Sequence, residues 1–209
     1  GMLLNLDGSE VWVKFLGRFN AYNLTSVYAT ALLLGARRDE VLRILSDLTS
    51  VDGRFEPIHS KEGVTAIVDY AHTPDALQNV IGTINEIRKK DQRLYVVVGC
   101  GGNRDATKRP EMAKIAVDGS DMAVLTSDNP RLEEPGAIIE QMKSGLEPGA
   151  RYLAITDRRE AIKAAVALAR PGDIILVAGK GHETYQDVGG VKHHFDDREE
   201  VRAAFGTVL

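Results

Sequence analysis

Met122-Ala123-Val124-Leu125-Thr126 leads directly into a polar loop that contains Asp128-Asn129-Pro130-Arg131. The apolar run is typical of a short strand that is buried in a parallel sheet. Similar polar loops follow two other apolar runs, at residues 99–105 and 179–183. Loops that leave the carboxyl ends of parallel strands converge on one crevice, where ligands bind. We therefore expect these loops to bring two arginines and a carboxylate to one site, which would grip a small zwitterion at both ends.

Short apolar runs recur along the chain and predict five strands. Helical patterns separate them, and several begin with recognisable signals. Thr73-Pro74 predicts a cap followed by a first-turn proline, Pro110 and Pro135 predict the starts of the next two helices, and Asp157 with Glu160 resembles a capping box. The alternation predicts an α/β fold, a Rossmann-like doubly wound and mostly parallel sheet with right-handed crossovers. The five predicted strands are residues 64–68, 94–98, 122–126, 152–155 and 174–178.

Residues 1–52 follow a different pattern. Glu10–Phe15 alternates like a half-buried strand, and two helical runs follow, the second with Val41, Ile44, Leu45 and Leu48 on one stripe. This segment is too small to bury much of its own surface. We therefore expect it to be the C-terminal remnant of a larger domain, and residues 53–209 to form a domain of their own.

Composition narrows the classes of function. The net charge is -4 and the pI is about 5.8, which argues against a nucleic-acid partner. No apolar run approaches the ~20 residues that cross a bilayer, and no basic signal-peptide start is visible, so no membrane partner is expected. The single cysteine, Cys100, cannot form an internal disulfide, and a reducing cytoplasm is the expected compartment.

Each candidate residue has a less specific alternative. The loop at 99–105 is glycine-rich, but Arg104 stands where a dinucleotide fingerprint needs its third glycine. Arg104 and Arg131 suit carboxylates or phosphates, although both loops could be plain solvated turns. Glu183 is a candidate partner for a substrate ammonium. His182 could shuttle a proton, but a lone histidine is more often structural.

Two further residues point toward a nucleotide. Asp69, at a strand end, could accept hydrogen bonds from a ribose or merely cap the next helix. Arg54 could reach a phosphate or simply pair with Glu56. His193 and His194 are adjacent on a predicted strand and point to opposite faces, so no metal site is predicted.

The motifs taken together resemble those of the Mur ligases, in particular the diaminopimelate-adding branch of that family. The resemblance runs from about Gly17 to Phe205, and the order and spacing of seven motifs make it specific. These motifs are Gly17-x-Phe19-Asn20-x-Tyr22-Asn23, Gly53-Arg54-Phe55-Glu56, Asp69-Tyr70-Ala71-His72-Thr73-Pro74, Gly99-Cys100-Gly101-Gly102-x-Arg104-Asp105, Lys108-Arg109-Pro110, Thr126-x-Asp128-Asn129-Pro130-Arg131 and Gly179-Lys180-Gly181-His182-Glu183.

The resemblance implies a three-domain ligase that uses ATP and Mg²⁺ to join meso-diaminopimelate to UDP-MurNAc-L-Ala-D-Glu in peptidoglycan synthesis. It implies that ATP is contacted by Asn20, Asn23, Arg54 and Asp69. It also implies that Arg104 and Arg131 meet carboxylates of the amino acid and that Glu183 meets an ammonium. The full set implied for diaminopimelate is Arg104, Asp128, Asn129, Pro130, Arg131, Gly179 and Glu183.

The chain also departs from the family pattern. The P-loop, the magnesium ligands, the carbamylated lysine and the UDP-sugar domain of the family are absent from it. We therefore expect the C-terminal portion of such a ligase, inactive alone and a monomer or weakly self-associating. The alternatives are a related domain of a folylpolyglutamate or cyanophycin synthetase, a stand-alone amino-acid-binding or regulatory module and, remotely, a nucleotide oxidoreductase.

Overall fold

The computed structural model describes residues 1–206. The chain divides into two compact units, Gly1–Val51 and the residues from Asp52 onward. The last three residues of the predicted domain 53–209 lie outside the described part. Within residues 1–206, no helix is long and apolar enough to cross a membrane.

The first unit is a β-hairpin with two helices. Strands β1 (Met2–Leu6) and β2 (Ser9–Val13) pair antiparallel, and α1 (Arg18–Leu33) and α2 (Arg38–Asp47) follow. The second strand and the helical pair were predicted, whereas β1 was not. On α2 only Val41 and Leu45 are buried, while Ile44 and Leu48 are exposed, so the predicted stripe is narrower than expected. A small core forms from Leu6, Val11, Val13, Leu24, Tyr28, Val41 and Leu45.

The second unit is built on a six-stranded sheet with the order β3-β4-β8-β5-β6-β7. Strand β3 pairs antiparallel with β4, and every other pairing is parallel. All five predicted strands are confirmed, and β3 is an additional edge strand. The strands are β3 (Glu56–His59), β4 (Thr65–Asp69), β5 (Leu94–Cys100), β6 (Met122–Ser127), β7 (Tyr152–Ala154) and β8 (Ile174–Ala178).

Five helices accompany this sheet, and their starts follow the predicted signals closely. Thr73 Oγ1 accepts from the Ala76 amide, Asp157 accepts from the Glu160 amide, and Pro135 is the first residue of its helix. Pro110 is the third residue of its helix rather than the first. Ile87 is 44% exposed and ends its helix. The helices are α3 (Pro74–Ile87), α4 (Lys108–Asp118), α5 (Pro135–Lys143), α6 (Arg158–Leu168) and α7 (Asp197–Ala204).

Helices cover both faces of the sheet, as a doubly wound fold requires. Tyr95 and Val97 on β5 belong to one core with residues of α6 and α7. Because side chains alternate along a strand, Val96 and Val98 face the other side, where α3, α4 and α5 pack side by side. Burial on both faces explains why these strands are apolar throughout. Outside this sheet, β9 (Tyr185–Val188) and β10 (Val191–His194) form a β-hairpin joined by Gly189-Gly190.

A buried ion pair fixes the carboxyl end of the sheet. Arg158 donates to Asp197 from Nε and Nη2, at 2.7 and 2.8 Å, and neither side chain is exposed. The same guanidinium donates to the carbonyls of Ser127 and Ala178, at 3.3 and 3.0 Å. Since Ser127 and Ala178 end β6 and β8, Arg158 holds together the two strands that carry the loops of residues 128–131 and 179–183.

Candidate functional site

A cavity of about 500 Å³ opens at the carboxyl ends of β4, β5, β6 and β8. It contains every predicted amino-acid-binding residue except Pro130, whose carbonyl instead accepts from the Glu133 amide at 3.0 Å. The three loops singled out in the sequence therefore do meet at one place. The lining residues are Tyr70, His72, Thr73, Gly99, Cys100, Gly101, Arg104, Asp105, Lys108, Asp128, Asn129, Arg131, Gly179, Glu183 and Tyr185.

Glycines let the loop after β5 lie directly against the loop after β6. A Cβ on Gly99 would stand 2.4 Å from the Thr126 carbonyl oxygen, and one on Gly102 would stand 1.9 Å from that of Pro130. The Gly102 amide donates to the Asn129 carbonyl at 2.9 Å. The glycine-rich loop therefore serves close backbone packing here, which explains why it lacks the dinucleotide spacing.

Arg131 adopts a left-handed backbone conformation, with φ of 52°. For a residue other than glycine this costs on the order of 1–2 kcal/mol. The neighbouring strand holds it in place, because the Arg131 amide donates to the Asp187 carbonyl at 2.9 Å and its carbonyl accepts from the Gly189 amide. Its Nη1 donates to the Gly102 carbonyl at 2.8 Å, which anchors one side of the guanidinium beside the cavity.

Arg104 is exposed and lies beside Gly101, close to Arg131. A Cβ on Gly101 would lie 2.9 Å from Arg131 Nη1 and 3.6 Å from Arg104 Cγ, so both arginine side chains lie beside one glycine. Within residues 1–206, no carboxylate or carbonyl accepts a hydrogen bond from the Arg104 guanidinium. Its planar fork therefore stays available for an anionic ligand.

Glu183 and Asn129 are tied together across the cavity wall. Asn129 Nδ2 donates to Glu183 Oε2 at 2.8 Å, and the Asp187 amide donates to Asn129 Oδ1 at 2.9 Å. Lys180 donates to both, to Glu183 Oε2 at 3.0 Å and to Asn129 Oδ1 at 3.2 Å. Sequence reasoning gave Lys180 no role, because its partner Asn129 lies 51 positions away in the chain.

Asp128 and Gly179 both line this cavity and lie close to each other. Asp128 Oδ1 accepts from the Asn129 amide at 2.6 Å, and a Cβ on Gly179 would stand 2.8 Å from Asp128 Oδ2. Gly179 has a φ of 117°, a conformation that favours glycine, and its amide donates to the Asp69 carbonyl at 3.0 Å. The carboxylate of Asp128 and the backbone of Gly179 therefore meet at one point of the wall.

An ion pair between Arg109 and Glu133 stabilises the loop after β5. Arg109 is buried and donates to both oxygens of Glu133, at 2.8 and 3.0 Å, and to the Gly101 carbonyl at 3.1 Å. Glu133 also accepts from the Asn103 amide. The hydrogen bond from Arg109 lowers the pKa of Glu133 from 4.5 to about 2. The predicted motif Lys108-Arg109-Pro110 thus contributes a structural arginine, while Lys108 lines the cavity and donates to the His72 carbonyl at 2.7 Å.

Arg54 and Asp69, two of the predicted nucleotide residues, do not line the cavity themselves. Asp69 is buried, and its two carboxylate oxygens accept from the amides of Phe55 and Ala71, at 2.7 and 2.8 Å. Burial raises the pKa of Asp69. The guanidinium of Arg54 lies 4.8 Å from the centre of the Tyr70 ring, while Glu56 accepts from the Gly53 amide. Asn20 and Asn23 belong to the first unit, one turn apart on α1.

The side chains of His182 and Cys100, which could take part in proton transfer or nucleophilic attack, differ in their position relative to the cavity. His182 is exposed outside the cavity lining, with its ring 5.2 Å from that of Tyr70. Cys100 lines the cavity, but burial raises the pKa of its thiol to about 12, so it is a poor nucleophile at neutral pH. Residues 1–206 contain no cluster of three His, Cys, Asp or Glu side chains that could hold a metal ion.

Comparison with known proteins identifies the family to which this fold belongs. The family model described as "Mur ligase, glutamate ligase domain" matches residues 53–181. The chain belongs to the Mur ligase family. The match covers the sheet from β3 through β8 and every loop that lines the cavity up to Gly181. The fold class predicted from sequence, a doubly wound Mur-type α/β domain preceded by a small strand-and-helix unit, is therefore confirmed.

Relatives extend the likeness over the whole chain. A UDP-N-acetylmuramoyl-L-alanyl-D-glutamate–2,6-diaminopimelate ligase of Parabacteroides distasonis is 59% identical over 209 residues, which is 99% of this chain and 43% of the relative. The ligase of the same name from Lactiplantibacillus plantarum is 48% identical, over 94% of this chain and 39% of the relative. The chain thus spans less than half the length of these Mur ligases.

Two solved structures also match most of this chain, while the chain spans less than half of each of them. A structure of a UDP-N-acetylmuramoyl-L-alanyl-D-glutamate–2,6-diaminopimelate ligase superposes with a TM-score of 0.72 at 43% identity, covering 95% of this chain and 40% of that one. A folylpolyglutamate synthase from Mycobacterium tuberculosis gives a TM-score of 0.66 at 20% identity, over 95% of this chain and 42% of that one. The second likeness shows a common fold alone.

Proposed function

We propose that this chain is the amino-acid-binding portion of an ATP-dependent ligase that adds meso-diaminopimelate to UDP-MurNAc-L-Ala-D-Glu in peptidoglycan synthesis. The observation that carries the proposal is the charge pattern of the cavity. Arg104, Lys108 and Arg131 supply three cations, and Asp105, Asp128 and Glu183 supply three carboxylates. Meso-diaminopimelate has two ammonium and two carboxylate groups at the ends of a short chain, so it complements a wall that carries both signs.

The roles of individual residues follow from their contacts. Arg104 and Arg131 lie beside Gly101 and are proposed to receive carboxylates, while Glu183 and Asp128 are proposed to receive an ammonium. The side-chain amide of Asn129 donates to Glu183, and the carbonyl of Pro130 accepts from the Glu133 amide in the turn. Both residues are therefore proposed to position their neighbours. Gly179 contributes close backbone approach. Asn20, Asn23, Arg54 and Asp69 are proposed to contribute to the ATP site.

The chemistry of the whole ligase would be an amide synthesis. MgATP supplies the phosphorylation that activates a carboxylate of the UDP-sugar dipeptide, after which an amine of diaminopimelate displaces phosphate and loses a proton. The role proposed for this chain is to bind the amino acid and to hold that amine in a fixed orientation. Such positioning contributes several kcal/mol to catalysis in favourable cases.

Calorimetric titration with meso-diaminopimelate, L-lysine and L-glutamate tests the binding role. We expect selective binding of diaminopimelate that is lost in Arg131→Ala and retained in Arg151→Ala, an exposed arginine outside the cavity. Preference for glutamate would favour a folylpolyglutamate-type domain. Absence of diaminopimelate binding would refute the proposal.

A second measurement concerns activity. The sequence contains no Walker-type phosphate loop, so we propose that the 209 residues alone do not release phosphate from ATP when diaminopimelate and the UDP-sugar dipeptide are supplied. Substrate-dependent phosphate release would contradict this. If a complete protein that contains this chain binds diaminopimelate but does not turn over ATP, the chain is instead a binding or regulatory module.

A further inference from the structure

Lys180 is a buried cation that no proposed contact with substrate explains. Its side chain has no exposed surface, and it is absent from the residues that line the cavity. A buried ammonium is costly unless anions and hydrogen-bond acceptors surround it. The partners of Lys180 are therefore the key to its role.

Those partners all belong to the cavity wall. The ammonium lies 3.0 Å from Glu183 Oε2, 3.2 Å from Asn129 Oδ1 and 5.4 Å from the centre of the Tyr185 ring. Asn129 Nδ2 also donates to Glu183 Oε2, at 2.8 Å. Glu183 Oε2 therefore accepts from two donors, Asn129 Nδ2 and Lys180 Nζ. No residue in the described range 1–206 donates to Oε1. Glu183 is held by one oxygen and keeps the other for a ligand.

We infer that Lys180 is a positioning residue that holds Glu183 through Oε2 and so leaves Oε1 for an ammonium of the amino-acid substrate. The inference rests on the proposed function, because it assigns Glu183 the ammonium of diaminopimelate. It also explains why a lysine occupies a site that an apolar residue could fill. Burying an ion pair stabilises a fold no better than good apolar packing does, so the charge must serve the carboxylate beside the cavity.

The test compares Lys180→Met with Lys192→Met. Both lysines lie over the ring of Tyr185, at 5.4 and 4.1 Å, but Lys192 is exposed and belongs to the outer strand β10. The first readout needs no ligand. In crystal structures we expect Glu183 Oε2 to lie within hydrogen-bond distance of Asn129 Nδ2 in the wild type and in Lys192→Met, and to leave that position in Lys180→Met.

The second readout measures recognition of the ammonium. Pimelate has the same seven-carbon chain and both carboxylates as diaminopimelate but no amino groups. We expect Lys180→Met to reduce the ratio of diaminopimelate to pimelate affinity by about tenfold or more, the size of one charged hydrogen bond. Lys192→Met should leave the ratio unchanged. A purely structural lysine would weaken both ligands alike.

The outcomes are distinguishable. Glu183 staying in place in Lys180→Met, or an unchanged affinity ratio, overturns the inference. A wild-type protein that does not bind diaminopimelate refutes the proposed function, and the position of Glu183 in the variant still decides whether Lys180 orients it. If Lys180→Met does not fold, Lys180→Gln, which can donate but carries no charge, is measured in the same way. Glu183 displaced with an unchanged ratio, or Glu183 in place with a reduced ratio, would each overturn the inference, because the position of Glu183 and recognition of the ammonium must change together.

Discussion

Glu133 shows how a single carboxylate outside the cavity holds two of its loops together. It joins Arg109, the Asn103 amide and the start of α5, and its pKa in the folded protein is about 2 against an ordinary value of 4.5. A carboxyl group with a lowered pKa favours the folded state when it is ionised. Its contribution is complete above pH 4.5 and is lost as the pH falls through the interval from 4.5 to about 2.

We predict that Glu133→Gln lowers the free energy of unfolding at neutral pH and that its difference from the wild type shrinks across that acid interval. Urea unfolding at a series of pH values measures this. Glu134→Gln changes an exposed neighbouring residue that makes none of these contacts, and it serves as the control. A difference between Glu133→Gln and the wild type that stays constant down to the acid end would contradict the assignment.

At this scale the sequence predicted the residue types at the site but not their partners. Arginines and carboxylates after strand ends were predicted because strand ends of a parallel sheet converge. The burial of Lys180 and the internal hydrogen bonds of Asn129 were not, since they depend on contacts between residues about fifty positions apart. The same holds for Arg131, whose positive φ is imposed by β9 rather than by its neighbours in sequence.

Among the elements, the close contact between the loops after β5 and β6 depends on glycine. We predict that Gly102→Ala destabilises the protein by about 1–3 kcal/mol, because its Cβ would overlap the Pro130 carbonyl and push the loops apart. It should also weaken amino-acid binding, since Arg131 Nη1 is anchored on the Gly102 carbonyl. Chemical denaturation and calorimetry measure the two effects.

Gly82→Ala is the matched control for this prediction. Gly82 lies within α3, and nothing stands within 4 Å of the Cβ it would gain. Alanine in a helix is favoured over glycine by about 0.5–1 kcal/mol, so this variant should be slightly more stable than the wild type. Equal effects of the two substitutions would show that the close approach at Gly102 is relieved at little cost.

The elements that sequence reasoning missed were short strands at edges. The strand β3 contains Pro57, which lacks a backbone donor and is tolerated only at the edge of a sheet, so its sequence does not look like a strand. The strand β1 had a visible signal, since Asp7-Gly8 is a favoured two-residue hairpin turn and both residues have positive φ. The buried parallel strands were predicted well because uninterrupted apolar runs allow few other structures.

For the molecule as a whole, the larger unit depends on the buried pair of Arg158 and Asp197. This pair links the ends of β6 and β8 to the start of α7, so it joins the far end of the chain to the site. Removing one member of a buried pair leaves an uncompensated charge, which typically costs about 3–5 kcal/mol. That is a large share of a usual folding free energy of roughly 5–15 kcal/mol.

We predict that Arg158→Met and Asp197→Leu are each strongly destabilising, and that the double variant is less so than either, because it leaves no buried charge. Arg159→Met provides the control, since the adjacent Arg159 pairs with Glu200 on the same two helices but is 52% exposed and should cost no more than about 1 kcal/mol. Urea unfolding of the four variants measures this. An Arg158→Met that costs no more than Arg159→Met would mean that the strand ends are held by packing, and that the charge of Arg158 is incidental to the geometry of the site.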